Sequence, residues 1–421
     1  MKKMICLVTV FVMMLTFASC TRKDPVKGPV SEPAKEPVSE PVKDNGTGTK
    51  LSTDDKEEIK VDTKEDRYSA RLVDILYRRR QENIVVSDLS LKMALAMCLE
   101  GADGDTKEEM LAYFGAKDER EILDKMTELL SSQSDDEVVK MLLANMILYN
   151  EDTVLSEEYI KKIQQDFDIT PIERKLFTDD TVNEINGFVK ENTKGLIEKI
   201  VKLEDMEALK LFLVNTLYFK GTWAHEIDYS AYEDTFHGLD KDSRVTFYND
   251  TVDTYFENDK AVAFAKQYYG NYEFIGILPK EEGDFDLESL DLAGLLESRD
   301  DTSFDVDIIL PKLDIEYGGD ITDCLMEDGI RTAFDPMNAD LSGMSEDTEL
   351  FLSKVIHKTR LKLDGKGTEA AAVTAIGIKA NGMFMPEEKE KKEVHLTRPF
   401  VFIIYDYTTN TALFTGKIID L

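Results

Sequence analysis

The stretch GKGTEAAAVTAIGIKANGM, residues 365–383, lies between two segments with strong strand patterns and contains no aromatic residue. With a period of two, its alternate residues form one face of small uncharged side chains followed by aliphatic ones. That face consists of Thr368, Ala370, Ala372, Thr374, Ile376 and Ile378. The opposite face carries Glu369, the single acid of the stretch. Because burying a charge costs several kcal/mol, the uncharged face suits burial between existing strands. The stretch is therefore compatible with two states, an exposed loop and a central strand.

Two other structures fit the same stretch. The residues TEAAA, 368–372, favour the start of a short helix. The β-branched residues between Val373 and Ile378, together with Gly377, weaken a helix beyond one or two turns. A flexible linker is the remaining alternative.

Strand patterns dominate the chain around this stretch and after it. In residues 303–311, alternate apolar side chains share one face, opposite Asp305 and Asp307. Five segments predict strands, and the last of them predicts a closing hairpin. They are LKLFLVNTLYFKG (209–221), EFIGILP (273–279), SFDVDIILP (303–311), LFLSKVIHKTRLKLDG (350–365) and RPFVFIIYDYTTNTALFTGKIIDL (398–421).

Helical patterns dominate the first part of the fold, which we expect to begin near Lys64. Residues 67–80 and 90–104 have apolar residues at helical spacing, and Gly101 ends the second of these helices. Helices early in the chain and strands late indicate an α+β fold rather than regular βαβ alternation.

Two further helix starts are predicted from capping boxes, in which a threonine and a glutamate three residues later bond each other's backbone N–H groups. One pair is Thr106 with Glu109, and the other is Thr181 with Glu184. Each pair predicts a helix with its threonine at the N-cap.

The N-terminus has the pattern of an export signal. MKKMICLVTVFVMMLTFASC has two lysines, an apolar run too short to span a bilayer comfortably, and small residues before Cys20. Residues 1–19 resemble a bacterial lipoprotein signal peptide, which implies that cleavage leaves Cys20 as the lipidated N-terminus. Phe17 departs from the usual leucine, and an ordinary signal peptide is the alternative. We expect a membrane-anchored lipoprotein on the periplasmic or the extracellular side.

Residues 20–50 predict a tether between this anchor and a folded domain at residues 51–421. Prolines recur every fourth residue from Pro25 to Pro41, a pattern that prevents a continuous helix. In the polyproline II conformation such a stretch would reach on the order of 90 Å. A disordered tail without a spacer role is the alternative.

The net charge argues against one class of partner, nucleic acid. The 421 residues are 42% hydrophobic, enough for a substantial core, and carry a net charge of −33. Nucleic-acid binding needs a basic face, so an acidic chain argues against it.

Cys98 and Cys324 lie in apolar helical patterns, which predicts buried, inert thiols. A disulfide between them is the alternative outside the cytoplasm.

No recognisable catalytic or metal-binding pattern occurs in the sequence. The histidines at positions 225, 237, 357 and 395 form no metal-binding pair, and neither H-E-x-x-H nor G-x-S-x-G is present. No glycine-rich phosphate loop follows a strand. We therefore predict a protein that is not an enzyme and that has no cofactor and no metal site.

The residues GTEAAAVTA, 367–375, resemble the hinge of the reactive-centre loop of inhibitory serpins. Further segments resemble that family's motifs in the same order. They are NIVVSDLSLKMALAMCLEGADGDTKEEM (83–110), LFLVNTLYFKGTW (211–223), ILPKLDIE (309–316), LMEDGIRTAFDPMNADLSGMS (325–345), HKTRLKLDGKGTEAAAVTA (357–375) and RPFVFIIYDYTTNTALFTGKI (398–418). The resemblance covers residues 64–421. It implies the serpin fold, in which helices pack around three β-sheets, with an exposed reactive-centre loop at about residues 365–393.

Three groups of site residues are implied by position. The hinge, which inserts into the sheet, comprises Lys366, Gly367, Thr368, Glu369, Ala370, Ala371, Ala372, Val373, Thr374 and Ala375. The shutter, a polar cluster beneath the central sheet where it opens, comprises Ser87, Ser90, Asn215 and His357. The breach, where the loop first enters the sheet, comprises Lys220, Gly221 and Trp223.

Two residues depart from the family pattern. Asp88 stands where serpins usually have proline, and Gly365 stands where they usually have a glutamate that anchors the top of the sheet. Loss of that anchor implies either a looser breach with easier insertion or a tendency toward a latent form. The far side of the loop, residues 382–394, is longer than is common in the family.

The family's hinge-to-cleavage spacing, counted from Gly367, places the reactive bond at Asn381–Gly382. Ala380 or Lys379 before the bond are the alternatives. Ile378 and Ala380 suit elastase-like or subtilisin-like proteases, and a papain-like target stays open.

The resemblance implies a monomeric suicide inhibitor of serine endopeptidases, with cysteine endopeptidases as a further class. Its partner would be a target protease held in a covalent acyl complex. The alternative is a non-inhibitory serpin that serves as a surface scaffold, carrier or chaperone. Such members usually have bulky, charged or proline residues on the hinge's insertion face, whereas this chain has Thr368, Ala370, Ala372 and Thr374 there.

Overall fold

The computed structural model describes residues 68–135, 137–167, 169, 172–206, 209–227, 231–345, 350–368 and 389–421. Within these residues the chain forms eight α-helices. They are α1 (Ala70–Arg80), α2 (Asp88–Leu99), α3 (Gly104–Phe114), α4 (Glu119–Ser131), α5 (Glu157–Asp166), α6 (Asp179–Asn192), α7 (Leu292–Glu297) and α8 (Thr322–Asp328). The predicted leader and tether, and any start of the fold near Lys64, lie outside the described residues. None of the helices in the described part is long and apolar enough to cross a membrane.

Seventeen strands occur in the same described residues. They are β1 (Ile84–Val86), β2 (Ser134–Asp135), β3 (Val139–Asn150), β4 (Ile172–Lys175), β5 (Leu211–Thr222), β6 (Tyr232–His237), β7 (Asp242–Val252), β8 (Thr254–Glu257), β9 (Ala261–Gln267), β10 (Tyr272–Pro279), β11 (Phe304–Pro311), β12 (Leu313–Asp320), β13 (Ile356–Asp364), β14 (Gly367–Thr368), β15 (Glu390–His395), β16 (Phe400–Asp406) and β17 (Thr411–Ile418).

These described strands form three sheets. The central sheet has seven strands in the order β12-β13-β14-β5-β3-β2, and β4 pairs with β3. A six-stranded sheet has the order β1-β17-β16-β10-β9-β8, and a four-stranded sheet has the order β15-β11-β7-β6. The closing hairpin is confirmed, because β16 and β17 pair antiparallel from Phe400 opposite Ile418.

The central sheet is covered on both faces. On one face, α6 packs Val182, Ile185 and Val189 against Phe212 and Val214 of β5. On the other face lies α2, in which ten of twelve residues are buried. A helix that is apolar all round lies inside a core. Strand β5 therefore lies between two apolar layers, one formed by α6 and the other by α2.

Sequence patterns predicted the apolar strands better than the polar ones. The strands β5, β10, β11, β13, β16 and β17 confirm the five predicted segments. In β11, Val306, Ile308 and Leu310 are buried, as the alternation predicts. Strand β3 was not predicted although it is largely apolar. The strands β6 to β9 were not predicted either, and the many charged and polar residues of β6 and β7 show no clear period of two.

The capping box of Thr106 and Glu109 is wrong. Helix α3 begins at Gly104, where the carboxylate of Asp103 accepts a hydrogen bond from the Gly104 N–H at 2.9 Å. Thr106 is buried inside the helix and accepts a hydrogen bond from the backbone N–H of Asp340 at 2.9 Å. Glu109 accepts hydrogen bonds from the segment at 331–332 instead. Both side chains therefore dock a distant loop.

The second capping box is also wrong, although here both side chains bind partners that are close in sequence. Helix α6 begins at Asp179 with Thr178 at the N-cap. The hydroxyl of Thr181 donates to the carbonyl of Leu176, and Glu184 forms an ion pair with Lys175 at 2.6 Å. Each predicted N-cap thus lies two residues inside its helix.

Glu109 gives a test of the docking contact. The variant Glu109→Ala leaves the N–H groups of residues 331 and 332 and the Thr332 hydroxyl without this acceptor, so we expect it to lower the free energy of unfolding by about 1–3 kcal/mol. Chemical denaturation measures the change. The neighbouring, exposed Glu108→Ala is the control and should differ from the parent by less than about 0.5 kcal/mol. Equal stability of the two variants would contradict the docking role.

Candidate functional site

The candidate site lies where the central sheet receives the start of the predicted loop. Strand β14 is only two residues long and lies between β13 and β5, antiparallel to both. Thr368 lies opposite Leu363 of β13 and opposite Gly221 of β5. In the described part of the chain, β13 and β5 are joined through β14 and not by direct pairing. The first residues of the hinge therefore already form a strand in the sheet.

Glycine is required at the first position of β14. Gly367 has a φ of +140°, which side-chain-bearing residues rarely adopt. A Cβ atom there would lie 2.0 Å from the carbonyl oxygen of Gly221. Only a residue without a side chain can therefore approach β5 this closely.

Thr368 faces the core, as the sequence pattern predicts. Its side chain is 1% exposed, and its hydroxyl lies 2.5 Å from the hydroxyl of Tyr268. Lys366 is exposed, and its carbonyl accepts a hydrogen bond from the Trp223 N–H at 2.9 Å. The hinge thus begins inside the sheet, whereas the resemblance implied an exposed loop from residue 365. The rest of the hinge, Glu369–Ala375, and the reactive-bond candidates Lys379, Ala380, Asn381 and Gly382 lie outside the described residues.

The predicted breach residues surround this entry point. Trp223 is fully buried, and its indole N–H donates to the carbonyl of Asp364 at 3.2 Å. Its ring stacks on Tyr268 with centroids 4.2 Å apart. A Cβ atom at Gly221 would lie 2.6 Å from the Tyr268 ring, so glycine makes room for this tyrosine. The ammonium of Lys220 donates to the carbonyl of Glu137 at 3.0 Å.

Another contact occupies the position of the missing glutamate at residue 365. The ring of Tyr248 packs against Gly365, where a Cβ atom would lie 2.8 Å from it. Burial raises the pKa of Tyr248, and a hydrogen bond with the backbone of Gly365 offsets part of that rise. An aromatic contact therefore covers residue 365, where the family's glutamate is missing.

Below β14 lies a cavity of about 40 Å³ between β5, β13 and α2. Its apolar lining includes Leu91, Ala94, Phe212 and Ile356. Three of the four predicted shutter residues, Ser90, Asn215 and His357, line it as well. The cavity therefore combines an apolar wall with a few polar groups, as binding sites for a specific segment do.

The shutter serines and the histidine form one hydrogen-bonded group. The backbone N–H of Ser87 donates to Nε2 of His357 at 3.1 Å, and the Ser87 hydroxyl donates to the carbonyl of Leu413 at 3.1 Å. Ser87 is also the N-cap of α2, where it accepts a hydrogen bond from the Ser90 N–H at 3.3 Å. The network joins β13 to the start of α2.

Asn215 lies on the opposite wall and bonds to a different partner. Its side-chain amide donates to Oδ1 of Asn145 at 2.6 Å, and Asn145 donates to the carbonyl of Phe167 at 2.9 Å. Within the described residues, Oδ1 of Asn215 has no hydrogen-bond partner. The shutter is thus divided between the two sides of the cavity, and one acceptor on the β5 side is unsatisfied.

Asp88 takes the place of proline at the first residue of α2. The side chain is buried, and it accepts a hydrogen bond from the Ser69 hydroxyl and forms an ion pair with Lys92 at 3.0 Å. An acid is favourable in the first turn of a helix, where the helix dipole is positive. The departure therefore preserves a stable helix start.

Two site residues were missed in the sequence. Tyr268 follows β9 and shows no pattern that marks it, because only the fold brings it to Thr368. Asn145 was detectable in principle, since an amide in the apolar run MLLANMIL needs a buried partner. It lies directly opposite Asn215 in the β3–β5 register.

Cys98 and Cys324 are free and buried, which confirms the predicted thiols and not the disulfide. Burial raises the pKa of Cys98 to about 12 and also raises that of Cys324. Within the described part of the chain, no three His, Cys, Asp or Glu side chains are grouped so as to hold a metal ion.

Comparison with known proteins identifies the architecture. The model of the family described as "Serpin (serine protease inhibitor)" matches residues 63–421. The chain belongs to the serpin family. The fold class predicted from the sequence, an α+β serpin fold with helices around three sheets, is confirmed.

Three similar proteins illustrate the range of this serpin's relatives. An uncharacterised serpin-like protein of Methanosarcina mazei is 30% identical over 353 residues, covering 80% of this chain and 81% of that protein. Leukocyte elastase inhibitor A of Mus musculus is 31% identical over 358 residues, covering 80% and 92%. The crystal structure of the thermophilic serpin tengpin in the native state has a TM-score of 0.74 at 30% identity, covering 84% of this chain and 94% of that one.

His357 makes the stability of this serpin sensitive to acid. Burial lowers the pKa of His357 from 6.5 to about 4, so the unfolded chain binds a proton first as the pH falls. The stability from the neutral histidine is present above pH 6.5 and is lost toward pH 4. Between pH 7.5 and pH 5 we expect a loss of about 2 kcal/mol from this group.

The measurement is urea denaturation of the parent and of His357→Gln at both pH values. Carboxylates contribute equally in the two proteins, so the difference between their losses isolates the histidine. We expect a smaller loss for His357→Gln by about 2 kcal/mol. Parallel losses would mean that His357 titrates normally.

Proposed function

We propose that this serpin is a suicide inhibitor of serine endopeptidases. A target protease attacks the reactive bond and forms an acyl-enzyme. The cut loop then enters the central sheet as a new strand, and the tethered protease is carried away before it deacylates. The chain itself catalyses no reaction in this scheme.

One observation carries the proposal: Gly367 and Thr368 already pair with both β13 and β5. A strand that grows from β14 would continue the same antiparallel register. Thr368 lies opposite Leu363 and Gly221. Thr374 is six residues after Thr368 in the loop. In antiparallel pairing its neighbours would be the residues six positions before Leu363 and Gly221, which are His357 and Asn215.

That position matches the polar groups of the cavity. Asn215 and His357 both line the cavity, and Oδ1 of Asn215 is unsatisfied within the described residues. A threonine hydroxyl between them could donate to this acceptor. Insertion in this register would therefore fill the apolar cavity and satisfy the amide at the same time, which supports a loop built to insert.

The proposed target is an elastase-like or subtilisin-like protease, with a papain-like protease as a further class. Two residues before the reactive bond, Ile378 and Ala380, are aliphatic or small, and a similar serpin from Mus musculus is named an elastase inhibitor. The reactive bond is proposed at Asn381–Gly382.

The variant Thr368→Arg tests insertion. An arginine on the core face must leave its buried site or bury a charge, at a cost of several kcal/mol. Each 1.4 kcal/mol added to the insertion barrier shifts the ratio of trapped to released protease about tenfold. We expect Thr368→Arg to be cut at the same bond without an SDS-stable complex.

Glu369→Arg is the matched control for this variant, because the alternation places residue 369 on the outer face. We expect it to form complexes with an elastase-like protease. If Thr368→Arg traps protease as efficiently as the parent, insertion is not the mechanism. The scaffold alternative would then gain support.

Mass spectrometry of the reacted loop locates the bond. After reaction with an elastase-like protease we expect cleavage within one residue of Asn381. Productive inhibition with cleavage only after Met383, Phe384 or Met385 would show that the longer far side of the loop has shifted the bond.

We also propose that Cys20 carries a lipid that anchors the inhibitor to a membrane, on the periplasmic or extracellular side. Replacing Cys20 with Ala should release the protein from membranes and leave inhibition intact, because the leader and tether precede the matched family region. Detergent-free fractionation checks the location. Continued membrane association of the variant would argue against lipidation.

A further inference from the structure

Tyr268 is buried at the point where the hinge enters the sheet. Its ring stacks on Trp223 at 4.2 Å with an interplanar angle of 10° and meets the edge of Phe219 at 5.3 Å. Its backbone N–H donates to the carbonyl of Tyr272 at 3.0 Å. The ring is therefore held on two sides and from its own backbone.

The neighbouring glycine completes this arrangement. Gly221 leaves the space that the Tyr268 ring occupies, since a Cβ atom there would come within 2.6 Å of it. Gly221 also lies directly opposite Thr368. The Tyr268 side chain therefore passes Gly221 of β5 and contacts Thr368 of β14. The two hydroxyl groups lie 2.5 Å apart.

We propose that Tyr268 is the positioning residue that sets the register of loop insertion, by holding the hydroxyl of Thr368 in the first core-facing place of the new strand. Gly367 supports the same register, because its close approach to the Gly221 carbonyl excludes any residue with a side chain from that position. This inference rests on the proposed inhibitory function and names the contact that starts insertion correctly.

Register matters because side chains alternate along a strand. A shift by one residue would turn every side chain to the other face and bring Glu369 toward Tyr268. A shift by two residues would place alanine or isoleucine, and not Thr374, between His357 and Asn215. On the insertion face only Thr368 and Thr374 have hydroxyl groups. A shift by two residues would therefore leave the Tyr268 hydroxyl without a hydroxyl partner, and the contact between Tyr268 and Thr368 distinguishes the productive register.

The first test uses the uncut chain and no protease. Tyr268→Phe keeps the stacked ring and loses the hydroxyl, and Thr368→Val keeps the shape and loses its partner. Hydrogen–deuterium exchange of the segment with Gly367 and Thr368 should accelerate about tenfold in each variant, because a buried hydroxyl loses its bond. Thr368→Ser, which keeps a hydroxyl, should restore most of the protection lost in Thr368→Val.

Tyr272→Phe is the control for this exchange experiment. Tyr272 is also buried and packs on Phe219, but its hydroxyl donates to the sulfur of Met141. We expect exchange near Thr368 to be unchanged in this variant. Trp223, the single tryptophan of the chain, gives a second signal, and its fluorescence should shift in Tyr268→Phe when the hinge loosens. Exchange equal to the parent in both Tyr268→Phe and Thr368→Val would overturn the proposal.

The second test measures how many inhibitor molecules are consumed for each protease trapped. This number should rise several-fold in Tyr268→Phe and in Thr368→Val. In the double variant it should rise no further than in either single variant, because both remove the same bond. Faster exchange with an unchanged number, or additive effects in the double variant, would overturn the positioning role. If the parent traps no protease at all, the proposed function fails, and the exchange result alone decides whether Tyr268 holds the hinge.

Discussion

The facing edges of β5 and β13 constrain the rest of this structure. A strand edge presents a row of N–H and C=O groups that need partners, and an unpaired edge inside a protein is costly. Within the described residues these two edges are bridged by only the two residues of β14. The sheet is therefore complete at its top and has a cavity below, where α2 and the two strands leave about 40 Å³ unfilled. Any segment that extended β14 would gain backbone pairing on both sides.

The side chains around this gap are matched to such an extension. At the top, Trp223 and Tyr268 form a rigid aromatic stack that fixes where the hinge begins. At the bottom, His357 belongs to a network with Ser87, whereas Asn215 bonds to Asn145 on the other side. Partly satisfied polar groups in a low-dielectric interior are costly, which favours a second arrangement that satisfies them. Within the described residues Oδ1 of Asn215 has no partner, so a strand with a hydroxyl at this position would satisfy it.

Structural features that depend on neighbouring residues were predicted well from the sequence. Contacts between residues that are distant in the sequence were not. The apolar alternation of residues 303–311 and the closing hairpin depend on neighbouring residues, and both are confirmed. Thr106 and Glu109 fit a capping box by spacing alone, but they bind residues 331–340, more than 200 positions away in sequence. Tyr268 shows the same limit, since its partner Thr368 is 100 residues away. No local sequence pattern predicts a contact between such distant residues, because the order of strands in the sheet creates it.

By itself the sequence determined the family, the α+β class, the uncharged face of the hinge and the glycine at residue 367, because each depends on residue type and spacing along the chain. Only the tertiary structure decided that the hinge begins inside the sheet. It also decided that Tyr248 fills the place left by the missing glutamate, and that Asn215 pairs with Asn145 and not with the shutter serines. The physical reason is that strand register and ring packing are settled by which edges meet. That depends on the whole fold, and no single segment of the chain specifies it.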